Sequence, residues 1–413
     1  MKKILYNLQL STVNKEGKML IQKDSNFWLW KNTTTAFHNY FYKEYEHHVI
    51  IPDNFLAEHL PINLFAARDV HYHMSRFTHT NSAYSGRYHW NVNEMKALIR
   101  SIKPDIIWEN NPTLVNNWKT LLMEEKLIDE IPVITYNHWV DSLNYPKLDR
   151  RCPYSIRQAE GFLLADLTLC NSNFIKYQIH EQVKETFKDT FITHYKQKHK
   201  IESYIHVFPP MIDEFEFHKK PSKQDNIIRI MYNHRLSSLG YYKDSYTMFL
   251  QALNALKKEK LNNEVEVIIT DVSGKIKNRS DIKFKDSKNI KIVLKGNMDR
   301  ITYLDEMHKC DICVGLFPHN NGGGWSISLA EGILTKCAII IPNHSGYFQM
   351  TPEDFSGKVY PHLNEVVEKL KILINNDKAR IENANEAYNF YMKNYSSKKL
   401  ITDLHKRLVK VMK

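Results

Sequence analysis

The sequence predicts an α/β protein built from two doubly wound, Rossmann-like domains. Three observations predict it. The length of 413 residues exceeds what one hydrophobic core usually supports. Short apolar β-type runs alternate with stretches of helical periodicity along the whole chain, which is the grammar of parallel β-α-β units. A hydrophobic fraction of 43% is that of a globular chain, with no stretch depleted enough to read as disordered.

In chain order, Lys3 to Leu10 reads as the first strand, and a polar segment leads to a helical pattern around Thr33 to Tyr45. His48 to Pro52 reads as a strand, and Met95 to Ser101 as a helix ended by Lys103-Pro104. Asp105 to Trp108, Pro132 to Tyr136 and Leu167 to Cys170 are short buried strands, followed by a basic, helical-looking stretch from Ile175 to Lys200. Pro209-Pro210 then fixes a rigid connector. The second half repeats the pattern: strands at Ile227–Tyr232, Val265–Thr270, Ile290–Leu294, Ile312–Phe317 and Ala338–Ile341, with helices at Ser245–Lys258, Ile301–Cys310 and Ser326–Thr335 between them. The expected division is a first Rossmann-like domain over 1–205, a second over 206–385, and C-terminal helices over 386–413.

The formal net charge of +11 has two readings: a long-range field suited to an anionic partner, or the by-product of a Lys-, Asn- and Ile-rich composition. Five cysteines without framework spacing fit reduced thiols, and the Cys310/Cys313 pair has no second pair to complete a zinc site. Met1-Lys2-Lys3 opens like a signal peptide, but Asn7 and Gln9 interrupt the apolar run, so it reads as a strand. No apolar stretch approaches the roughly twenty residues of a membrane helix. A cytoplasmic protein is expected.

Ligands of doubly wound sheets sit at the C-terminal ends of the strands. Two loops there carry suitable chemistry. Asn320-Asn321-Gly322-Gly323-Gly324-Trp325-Ser326 follows a strand and opens a helix containing Glu331. Its glycines let backbone amides approach a diphosphate at a helix N-terminus, and Glu331 is placed to take a ribose diol; a plain turn is the other reading. Asn233 to Asp244, NHRLSSLGYYKD, carries Arg235 and Lys243, either a fork and a point charge on a diphosphate or two solvated surface cations.

The ordered set KPDIIWENNP, VITYNHWVD, ADLTLCNSNFIK, HVFPPMID, NHRLSSLGYYKD, KIVLKGNMDR and GGGWSISLAEG resembles the retaining GT-B glycosyltransferases of family 4 over most of the chain. The resemblance implies two Rossmann-like domains facing a cleft, a C-terminal helix crossing back to the first, and metal-independent transfer from a UDP-sugar with no further cofactor. It implies that Arg235 and Lys243 grip the diphosphate, although their spacing is longer than the family's. Glu331 would match the second glutamate of the E-x7-E motif, while the first is replaced by Gly323, so the grip on the sugar should differ. His138 would match a histidine beside the transferred sugar, with Asp141 orienting it; a core or surface histidine is the alternative. The family's N-terminal glycine pair is absent, only Gly17 lying in that loop.

Acceptor choice is expected in the first domain, where Arg68 to Trp90 interleaves basic and aromatic residues, as in nucleic-acid or sugar sites. YNHWVDSL, FPPMID and the Arg235/Lys243 loop are also similar to bacteriophage DNA alpha-glucosyltransferases. That likeness implies a hydroxymethylated pyrimidine in duplex DNA as acceptor, and the host cytoplasm as location, with positive charge neutralising phosphates. A cell-surface polysaccharide or lipid-linked saccharide transferase at an anionic membrane is the alternative. A non-catalytic GT-B nucleic-acid-binding protein, consistent with Gly323, is the second.

Overall fold

A computed structural model of the chain describes residues 1–8, 25–52, 70–75, 91–137, 154–199, 204–217, 225–234, 241–270, 282–296, 298–316, 325–344, 347–360 and 362–412. The chain forms two compact units, residues 1–211 with 397–413, and residues 212–396.

The first unit runs β1 (Lys2–Asn7), α1 (Ser25–Tyr40), β2 (Tyr45–Pro52), β3 (Val70–Ser75), α2 (Val92–Ile102), β4 (Ile106–Glu109), α3 (Val115–Glu124), β5 (Val133–Asn137), α4 (Tyr154–Leu164), β6 (Leu167–Cys170), α5 (Asn173–His199) and β7 (Ile205–Val207). Its seven described strands are parallel, in the order β3-β2-β1-β4-β5-β6-β7. Central strands such as β4 and β5 are buried at every position, as a parallel sheet covered on both faces requires. Local chemistry punctuates the helices. The Asn91 side chain accepts from the amides of Asn93 and Glu94 to start α2, and Lys103, at φ 51°, ends it by donating its amide to the Ile99 carbonyl.

Two details differ from the expectation. α1 starts at Ser25 and stops at Tyr40, not Tyr45; Lys43, at φ 63°, turns the chain and Tyr45 begins a strand, its ring 4.6 Å from that of Phe37. Within the segment taken as an acceptor loop, Val70 to Ser75 is instead the edge strand β3. Its alternation is hidden because histidines, rather than aliphatics, occupy one face.

The second unit runs β8 (Ile228–Tyr232), α6 (Tyr241–Leu256), β9 (Val265–Thr270), β10 (Ile290–Lys295), α7 (Arg300–His308), β11 (Ile312–Val314), α8 (Ile327–Leu334), β12 (Ala338–Pro342), β13 (Lys358–Val359), α9 (Leu363–Asn375) and α10 (Asp377–Tyr395). Its parallel strands lie in the order β10-β9-β8-β11-β12-β13. One face of the sheet packs on α6 and α9 through Phe249, Leu253, Leu370 and Leu373, and the other on α8 and α10 through Leu329, Ile333, Ala387 and Tyr391. Asn383 of α10 is pinned to β12: its Oδ1 accepts the Ile339 amide at 2.7 Å. Cys310, Cys313 and Cys337 are buried free thiols.

The last helix, α11 (Ser397–Val411), belongs to the first unit, while residues 386–396 of the C-terminal stretch belong to the second. It buries Leu400, Ile401, Leu404 and Leu408 and lies against α1. His405 stacks on Phe41 with ring centroids 4.0 Å apart and meets Tyr45 Oη at 2.8 Å. Among the described residues no helix is long and apolar enough to cross a membrane.

Candidate functional site

In the second sheet, strand order reverses between β8 and β11. The chain therefore leaves these neighbours toward opposite sides and opens a crevice at their C-terminal ends, the place where doubly wound sheets bind ligands. Asn233-His234 follows β8 and Gly315 follows β11.

His234 is buried at this floor, and its Nε2 meets the Val314 carbonyl at 2.9 Å. A carbonyl only accepts, so Nε2 carries the proton. Burial lowers the His234 pKa to about 4, against the opposing effect of that hydrogen bond, so the ring is neutral at pH 7 with Nδ1 as its acceptor face. A Cβ on Gly315 would stand 2.8 Å from Leu329 Cδ1 and 3.0 Å from His234 Nε2. Only glycine leaves both side chains where they are.

Asn233 ties three elements together. Its Nδ2 donates to Tyr303 Oη at 2.7 Å on α7 and to the Ser328 carbonyl at 3.2 Å on α8. The Tyr303 hydroxyl, which has one proton, passes it on to Glu331 Oε2 at 2.6 Å. Arg300 Nη1 donates to Glu331 Oε1 at 2.5 Å, while Nε and Nη2 reach Glu216 Oε2 at 3.2 and 2.9 Å. Burial works against the Arg300 charge, but the Glu331 and Glu216 carboxylates outweigh it and raise the pKa above the ordinary value. Burial, and then Glu331, hold the Tyr303 hydroxyl in its neutral form. Glu331 is thus a buried carboxylate with both oxygens engaged at fixed geometry, and each oxygen retains a lone-pair direction for a further donor.

The sequence-predicted residues are distributed as follows. Glu331 lies in the second turn of α8, which is eight residues long and capped by Ser326, whose Oγ accepts the Leu329 amide at 3.3 Å. The Ser326 hydroxyl thus serves the helix itself. Trp325 packs between Tyr391 and Tyr395, with centroids at 5.9 and 4.8 Å, and its buried indole N–H meets no hydrogen-bond partner among the described residues. Lys243 falls in the first turn of α6, its side chain outside the described residues. His138, Asp141, Arg235, Gly322, Gly323 and Gly324 also lie outside them. The sequence reading passed over Asn233, His234, Arg300 and Tyr303. The first two open the NHRLSSLGYYKD segment and Arg300 closes KIVLKGNMDR, so the signal was adjacency to a strand's C-terminal end rather than charge.

No protein-family model and no curated protein sequence matches the chain. Solved structures do. A glycosyltransferase from Rickettsia africae matches with a TM-score of 0.65 at 14% identity, covering 100% of this chain and 99% of that one. Anabaena HepE, solved with UDP and glucose, matches with a TM-score of 0.62 at 12% identity over 99% and 100% of the two chains. A trehalose-6-phosphate synthase, studied for glycosyl transfer with retention, matches with a TM-score of 0.64 at 11% identity over 99% of each. At these identities the likeness is one of fold, and the fold is that of the GT-B glycosyltransferases.

Proposed function

We propose that the protein is a retaining glycosyltransferase that moves a sugar from a UDP-sugar to an acceptor hydroxyl, with the nucleotide held at the C-terminal ends of β8 and β11. The observation that carries this reading is the buried Asn233–Tyr303–Glu331–Arg300 network at the switch point, on a GT-B fold. It holds a carboxylate where a ribose diol would donate, and its hydrogen bonds fix that carboxylate before the ligand arrives, which removes an ordering cost from binding.

In this reading Arg235, Lys243 and the amides of Gly322, Gly323 and Gly324 stabilise the charge that develops on the departing diphosphate. The diphosphate takes the acceptor's proton on the same face, so no protein nucleophile is needed; His138 lines the transferred sugar. Positioning and electrostatic preorganisation then supply the rate.

The acceptor we favour is a hydroxymethylated pyrimidine in duplex DNA, as in phage DNA modification, because the net charge of +11 suits a polyanion. The test is mass spectrometry of UDP-sugars incubated with the full chain and either hydroxymethyl-pyrimidine duplex DNA or lipid-linked saccharides. Sugar on the DNA, with the donor's anomeric configuration retained, is the expected result. Transfer to the saccharides alone would overturn the acceptor, and the lack of both transfer and donor hydrolysis would overturn the enzyme.

A further inference from the structure

The two outer strands of the first sheet carry a cluster that the proposed donor site does not use. Glu46 and His48 alternate on β2, and side chains two apart share a face. The register sets His71 beside His48 and His73 beside Ile50, so the three histidines and Glu46 lie on one face of β2 and β3. Glu46 Oε1 stands 2.9 Å from His48 Nε2 and 3.1 Å from His71 Nε2. The ligand atoms of these three residues all lie within 4.8 Å of one another.

His48 is buried, and its Nε2 faces the Glu46 carboxylate. Its other nitrogen, Nδ1, meets His73 Nε2 at 2.9 Å. The rings are stacked, His48 on His71 at 4.8 Å and on His73 at 5.2 Å. With an ion in place, a neutral His48 protonated on Nδ1 and donating to His73 would turn its Nε2 lone pair toward the space shared with Glu46 and His71. That is the tautomer and outer partner of a metal-bound imidazole.

We propose that Glu46, His48 and His71 bind one divalent transition-metal ion of the zinc class, oriented by His73, with the fourth position open to solvent beside the half-exposed His71. Bonds of about 2.0–2.1 Å in tetrahedral geometry separate ligand atoms by about 3.3–3.4 Å. The two distances from Glu46 thus need to widen by only a few tenths of an ångström. Two imidazoles and one carboxylate select zinc, cobalt, nickel or copper over magnesium and calcium, which prefer oxygen. The ion would clamp the edge strand β3 to β2.

The test titrates the chelator-stripped full chain with Co2+ and follows the visible d–d bands of a four-coordinate site, then displaces Co2+ with Zn2+. One equivalent per chain is expected. His71→Ala, at a half-exposed position, should abolish the bands, and His73→Ala should weaken binding by about 10–100-fold, with far-UV circular dichroism of the metal-free variants unchanged. Glu46→Gln provides the second ligand variant. Absence of saturable binding, or binding that His71→Ala and Glu46→Gln both leave intact, would overturn the site.

Discussion

Acidification from pH 7 to pH 5 should weaken the second unit through His234. The ring is 3% exposed and its pKa is lowered to about 4, first by burial. In the unfolded chain an imidazole titrates near about 6.5. Between these values the unfolded state binds a proton that the folded state refuses, so stability rises with pH. His234's contribution is fully present above about pH 6.5 and is lost as pH falls toward 4. The loss is about 2 kcal/mol between pH 7 and pH 5, and about 3 kcal/mol by pH 4. His234→Gln removes the titration yet keeps an N–H for the Val314 carbonyl. The assay is urea unfolding of both proteins at pH 7 and pH 5, read by hydrogen exchange of β8 and β11 peptides so that the two units are followed separately. His47, buried in the first unit with a pKa lowered to about 3, is common to both proteins and cancels. The wild type should lose about 2 kcal/mol more than the variant on acidification. Equal losses would refute a neutral, buried His234 at the switch point.

Two further perturbations address packing and the network. A Cβ on Gly357 would meet the Ile339 carbonyl oxygen at 2.0 Å, a backbone atom that cannot step aside, so Gly357→Ala should cost about 3 kcal/mol or more. Gly296, with nothing within 4 Å of an added Cβ, should accept alanine without a change in melting temperature. Tyr303→Phe deletes the hydroxyl between Asn233 and Glu331; it should cost about 1–3 kcal/mol of stability, and calorimetry on the folded variant should find UDP bound at least about tenfold more weakly.

Most of the architecture was legible because parallel strands buried on both faces read as continuous apolar runs. Ile106 to Trp108, Ile312 to Val314 and Ala338 to Ile341 could be little else. The exception, β3, is an edge strand that carries His71 and His73 on one face, so its period of two carried no hydrophobic signal. The helix before β2 was misplaced because Thr33, Thr34 and Thr35 are buried on α1 and sequence periodicity does not mark where a left-handed turn such as Lys43 falls. For the site, charge and glycine drew attention to Arg235, Lys243 and the Gly322–Gly324 run, whereas the described network is made by Asn233, Tyr303 and Arg300. Those residues sit far apart in sequence, up to 98 positions from Asn233 to Glu331, and only the strand order brings them together. Glu331 was found from its helix; that both its oxygens are already engaged was not readable from one sequence.

Hydrogen exchange of the full chain with and without UDP-glucose tests the nucleotide site most directly. Slowed exchange in peptides covering Asn233 to Asp244 and Gly322 to Leu334, needing at least about tenfold more ligand in Tyr303→Phe, is the predicted result. Protection confined to the first unit, or none at saturating UDP-glucose and other UDP-sugars, would contradict a donor site at the ends of β8 and β11.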